Sequence, residues 1–112
     1  MKLSEKQAQF LQDVALLILW INQKGWYVTG GELHRPQEMQ EIYLKQGKTR
    51  TGDSKHTRRL AIDLFLFKNN KVTWNPEHYE PLGEFWESIR PENRWGGNFK
   101  GFVDAVHFER KG

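Results

Sequence analysis

The sequence predicts an α+β domain: an antiparallel sheet with helices packed mainly on one side of it. Three observations lead there. Phe10, Val14, Leu17 and Ile21 recur at spacings of three and four, which is one face of a helix. Ala61–Phe67 is mostly apolar, short and bounded by turn residues, as a central strand is. Lys68-Asn69-Asn70-Lys71 then turns the chain back at once, and a hairpin can only join antiparallel strands.

In chain order the elements follow from local chemistry. Ser4-Glu5-Lys6-Gln7 has the pattern of a capping box, with Leu3 as its hydrophobic staple, so the first helix is expected to start there. Leu16, Ile18 and Leu19 widen its apolar stripe, and the helix is expected to sit deep against the sheet with these residues covered. Gly25 is the expected stop, in the left-handed conformation. Trp26–Thr29 is a short strand ending at Gly30-Gly31. Leu33-His34-Arg35 leads into Pro36, which opens a second helix running to Gln46, with Gly47 as its stop. Lys48 to Lys55 is polar and glycine-bearing, hence a loop. After Ala61–Phe67 and its turn, Val72–Trp74 is the return strand. Asn75-Pro76 caps and opens a third helix through Ile89. Trp95–Gly97 and Val103–Glu109 supply the last strands.

The chain has 112 residues, enough for one domain spanning 1–112 and able to bury a core without staples. It has no cysteine, which rules out a disulfide framework and thiolate metal sites. The longest apolar run, Val14 to Ile21, is far short of the roughly 20 residues needed to span a bilayer. Glu5 and Asp13 in the leading stretch do not suit a signal peptide, so none is expected, nor any stable membrane association. The formal charge of +3 suits an anionic partner. The basic stretch Lys45 to Arg59 has no aromatic residue on which bases could stack, so nucleic acid is not the expected partner.

The chemistry-bearing residues fall in two segments about forty residues apart: Ser54-Lys-His56-Thr-Arg-Arg-Leu-Ala61-Ile-Asp63 and Asp104-Ala-Val-His107. They offer two imidazoles and a carboxylate for one metal ion, and a second carboxylate beside the last ligand. A catalytic zinc centre needs three such ligands, an open position for water and a base. Asp63 lies between Ile62 and Leu64, where a carboxylate is costly unless a cation compensates it. If the strands of Asp63 and His107 pair, both side chains reach one spot. Asp104, three residues before His107, joins them only from an irregular strand entry, which Gly101 makes possible. His78 reads as a surface helix residue and His34 as no more than a neighbour of the site.

These segments resemble the paired motifs of the M15 peptidases, the zinc D-Ala-D-Ala carboxypeptidases and the L-alanyl-D-glutamate endopeptidases of phage endolysins. Ser54-x-His56-x-x-Arg59-x-Ala61-x-Asp63 is similar to their S-x-H-x-x-G-x-A-x-D motif, and Asp104-x-x-His107 to the acid preceding the last zinc ligand. Thr29–Gln40 resembles their strand-then-helix segment. The resemblance spans roughly residues 26 to 109. It implies the hedgehog/D-Ala-D-Ala peptidase fold and Zn2+ on His56, Asp63 and His107. It also implies Asp104 as general base, Arg35 at the oxyanion, and Ser54 at a substrate carboxylate. Arg59 stands where many members have Gly, and that cation can meet an acidic substrate group. Asp rather than Glu at position 104 is closer to the endolysin branch. The expectation is a single catalytic domain acting on bacterial peptidoglycan at the L-Ala–D-Glu bond. The enzyme is expected to be a monomer, held in the host cytoplasm before release to the wall. The competing readings are a D-Ala-D-Ala carboxypeptidase or dipeptidase, and a zinc-stabilised binding module without activity.

Overall fold

A computed structural model describes residues 1–31 and 60–112. The second helix and the loop expected over residues 36–55 lie outside these residues. Numbered over the described residues, the order is α1 (Leu3–Gln23), β1 (Tyr27–Gly30), β2 (Ala61–Lys68), β3 (Lys71–Val72), α2 (Pro76–Ile89), β4 (Asn93–Trp95), a 3-10 turn (Gly96–Asn98) and β5 (His107–Arg110).

The sheet is antiparallel, in the order β1-β2-β5-β4, with β3 also on β2. β2 is therefore central, as its apolar character predicts. Its alternate residues Ile62, Leu64 and Leu66 join Phe108 of β5 and Trp95 of β4 in one buried layer. Phe10, Val14, Leu17 and Ile21 of α1 and Tyr79, Leu82 and Trp86 of α2 cover that layer. The described helices thus lie on one face of the sheet. The Trp86 ring meets Phe10 and Phe108 edge-on at 5.6 and 6.1 Å. Its indole N–H donates to the Glu109 and Arg94 carbonyls at 3.0 and 3.2 Å, so the buried polar atom is satisfied.

Local signals placed most ends correctly. Gly25 has φ +81 and ends α1. Asn69 and Asn70 have φ 55 and 63, the two left-handed residues of a tight hairpin turn. The Asn75 side chain accepts from the Glu77 N–H at 3.0 Å, with Pro76 opening α2.

Four expectations need correction. α1 starts at Leu3 with Lys2 as its cap, because the Glu5 carboxylate reaches back to the Lys2 N–H at 3.0 Å; Ser4 lies inside the first turn. Leu16 and Leu19 are exposed, at 49% and 60%. A cylinder lying on a flat sheet buries one stripe, and the further buried residue of α1 is Asp13. The return strand stops at Val72: Tyr79 occupies the next stretch of the β2 edge, its hydroxyl accepting from Leu66 N–H at 2.9 Å and donating to Thr73 O at 2.8 Å. Last, β5 begins at His107 rather than Val103, and Gly96-Gly97 turns in a 3-10 helix instead of extending β4.

Asp13 anchors α1 to the C-terminal end of α2, where Arg90 is the cap. Arg90 donates to both its oxygens, at 2.8 and 3.1 Å, and the Asn93 amide adds a bond at 3.2 Å. That bidentate hydrogen bond, helped by the charge, outweighs the opposing effect of burial and raises the Arg90 pKa above its ordinary value.

Candidate metal centre

The centre is built where β2 meets β5, on the face away from α1 and α2. Asp63 and His107 are direct cross-strand partners, so their side chains leave the sheet side by side. His107 Nδ1 stands 3.4 Å from Asp63 Oδ1. Asp104 arrives from outside the strand. Its N–H donates to Gly96 O at 2.9 Å, its carbonyl accepts from His107 N–H at 3.1 Å, and Gly101 just before it has φ +80. A Cβ at Gly96 would stand 2.1 Å from the Asp104 carbonyl oxygen and 2.9 Å from the His107 Cβ. Only glycine lets β4 come close enough for this turn to form. The irregular entry required of Asp104 is therefore present, and ligand atoms of Asp63, Asp104 and His107 all lie within 4.8 Å of one another.

This donor set fits a zinc ion. Ligands about 2.1 Å from a tetrahedral centre stand roughly 3.4 Å apart, the separation of His107 Nδ1 and Asp63 Oδ1. The His107 imidazole and the Asp63 carboxylate are nitrogen and oxygen donors that zinc accepts without thiolate, and the Asp104 carboxylate stands beside them.

The metal-free electrostatics fit the same conclusion. Burial opposes a charged His107, yet hydrogen bonds and charge from Asp63 and Glu109 outweigh it and push its pKa up to about 9. Below that pH the protonated His107 ring places a positive charge between the carboxylates of Asp63 and Glu109. Glu109 is the residue that sequence reasoning passed over. It is buried, its Oε1 lies 2.7 Å from His107 Nε2, and Arg94 Nε donates to its Oε2 at 3.0 Å. Burial disfavours its charge, but the bonds from His107 and Arg94 hold its pKa below the ordinary carboxylate range. The signal for it was available: residues two apart in a strand share a face. Phe99 closes one side, its ring 5.6 Å from that of His107.

Of the residues expected at the site, Asp63, Asp104 and His107 are brought together. Arg35, Ser54, His56 and Arg59 lie outside the described residues. His78 is exposed on α2, its Nδ1 2.7 Å from the Thr73 hydroxyl.

Against known proteins, the profile of a peptidase family described as D-alanyl-D-alanine carboxypeptidase matches residues 47–110, more than half of the chain. No curated protein matches by sequence. Among solved structures, the crystal structure of the Serratia marcescens L-Ala D-Glu endopeptidase ChiX is similar, with a TM-score of 0.79 at 20% identity, over 92% of this chain and 78% of that one. At that identity the likeness establishes the fold.

Proposed function

The chain belongs to the D-alanyl-D-alanine carboxypeptidase family of M15 peptidases, and from that membership we propose a zinc-dependent peptidoglycan peptidase that cuts the L-Ala–D-Glu bond of the stem peptide. The observation that carries this reading is the convergence of Asp63, Asp104 and His107 within 4.8 Å. Asp63 and His107, with His56, would hold the ion. Bound there, zinc would supply a Lewis acid that lowers the pKa of water toward ~7.

The chain's own residues do the rest. Asp104 takes the proton of the attacking water and returns it to the leaving amine. Arg35 donates to the oxygen that gains charge as the amide carbonyl becomes tetrahedral. Ser54 and Arg59 receive carboxylates of the substrate, Arg59 the D-Glu unit. The net charge of +3 favours an anionic wall, an attraction that salt screens. On this reading the enzyme reaches the wall after release from the host cytoplasm, as endolysins do, and works as a monomer.

Two features favour the endopeptidase: Asp at position 104, and the fold shared with a protein described as an L-Ala D-Glu endopeptidase. The family description favours a second reading, removal of a terminal D-Ala. Mass spectrometry of digested peptidoglycan separates them. The endopeptidase leaves a new amino terminus on D-Glu. Release of free D-Ala alone, with the stem otherwise whole, would assign the chain to the carboxypeptidases.

A further inference from the structure

We propose that Glu109, held by Arg94, is a positioning residue that fixes which nitrogen of His107 carries the ring proton, and so aims the Nδ1 lone pair at Asp63 and Asp104. The inference rests on the metal-centre reading above and deepens it.

Three observations carry it. His107 Nε2 is 2.7 Å from Glu109 Oε1, a short contact between two buried residues. An ionised carboxylate only accepts, so Nε2 must donate and carry the hydrogen. The second oxygen of Glu109 is taken by Arg94 Nε at 3.0 Å, opposite it in the β4–β5 register, which keeps the carboxylate charged and stops it turning away. Once Nε2 holds the proton of the neutral ring, Nδ1 has the free electron pair, and Nδ1 is the atom facing Asp63 at 3.4 Å. Ala61 makes room for this arrangement. It is fully buried and lies directly across from Glu109 in the β2–β5 register, so only a methyl group stands opposite that residue. The arrangement is a carboxylate–histidine pair with the imidazole oriented from behind, which raises the basicity of the nitrogen in front.

The test uses the full chain, with zinc alone as the probe. Glu109→Gln cannot accept from both Arg94 and His107 through its one carbonyl oxygen, so its amide N–H2 competes for one of those places. Nitrogen–proton correlation NMR of the His107 ring in alkaline buffer, where the metal-free ring is neutral, reads the tautomer directly. The wild type is expected to show the proton on Nε2, and E109Q to lose that preference. Competition with a chelator is expected to show zinc affinity reduced roughly 10–100-fold in E109Q, and less in Arg94→Met, with Glu109→Asp recovering part of the loss. A wild-type ring protonated on Nδ1, or equal zinc affinity in E109Q and wild type, would overturn the proposal. A wild type that shows the Nε2 proton but takes up no zinc would overturn the metal reading instead.

Discussion

The two faces of β2 use the same backbone for opposite ends. On one, Ile62, Leu64 and Leu66 meet α1 and α2 in an apolar layer in which the Trp86 indole N–H is tied to backbone. On the other, one residue over, Asp63 stands in a cluster with His107 and Asp104, and Glu109 bonds His107 from behind. The pleat makes this possible: residues two apart share a face, and neighbours never do. The difference teaches where cost and function lie. The helix-covered face supplies the stability. It spends none on the centre directly, but it fixes the β2–β5 register that brings Asp63 and His107 together.

Substitutions on the two faces should therefore fail in different ways. The largest effect is expected on the charged face. Asp104→Asn should keep zinc and fold, yet lose about 10²–10⁴ in hydrolysis, because an amide cannot take the proton from water. Assays on purified cell wall check this, and near-normal turnover would move the base elsewhere. Arg35→Ala should cost somewhat less, on the order of 10²–10³ in turnover with stability unchanged. An Arg35→Ala chain that does not fold would make that residue structural.

On the helix-covered face, Leu64→Ala should reverse the pattern. Denaturant unfolding should show about 2–5 kcal/mol lost to the cavity, while zinc affinity of the folded chain is retained. Parallel loss of both would show that the faces are not separable.

The smallest expected effect is a pH dependence of opposite sign in two states. The folded pKa of His107 is raised from 6.5 to about 9, so its charged contacts with Asp63 and Glu109 stabilise the metal-free chain fully below about 6.5 and are lost as pH rises through about 9. The midpoint of thermal unfolding without metal should fall across that window. Zinc affinity should rise across it, since the ion takes the place of the proton. Calorimetry with and without chelator checks both signs, and a fall in both would break the assignment of His107.

How much of this was legible in the sequence depended on range. The asparagines of the β2–β3 turn, the Asn75-Pro76 cap and Gly25 act on their own neighbours, and their chemistry reads directly. The Asp63–His107 pairing was legible because a carboxylate inside an apolar strand needs a cation. What stayed hidden depends on contacts distant in sequence. Nothing beside Asp13 shows that Arg90 and Asn93 will meet it. Gly101 allowed an irregular entry to β5, but nothing near it shows that Asp104 will bond back to Gly96 and delay the strand to His107. Ser4 looked like a cap because the pattern of the box fits it, but the carboxylate of Glu5 was closer to the end that needed it. Glu109 was overlooked for a different reason: at the end of a strand, a charged residue looks like surface until Arg94 and His107 are seen on either side of it.

On the reading proposed above, Asp63 and His107, across one strand pair, hold a catalytic metal ion. The most direct test is metal content of the chain purified without chelator, measured beside His107→Ala. About one zinc per wild-type chain is expected, and almost none in H107A, with hydrolysis lost in step. A wild type that neither carries zinc nor takes it up, or an H107A chain at full occupancy, would contradict it.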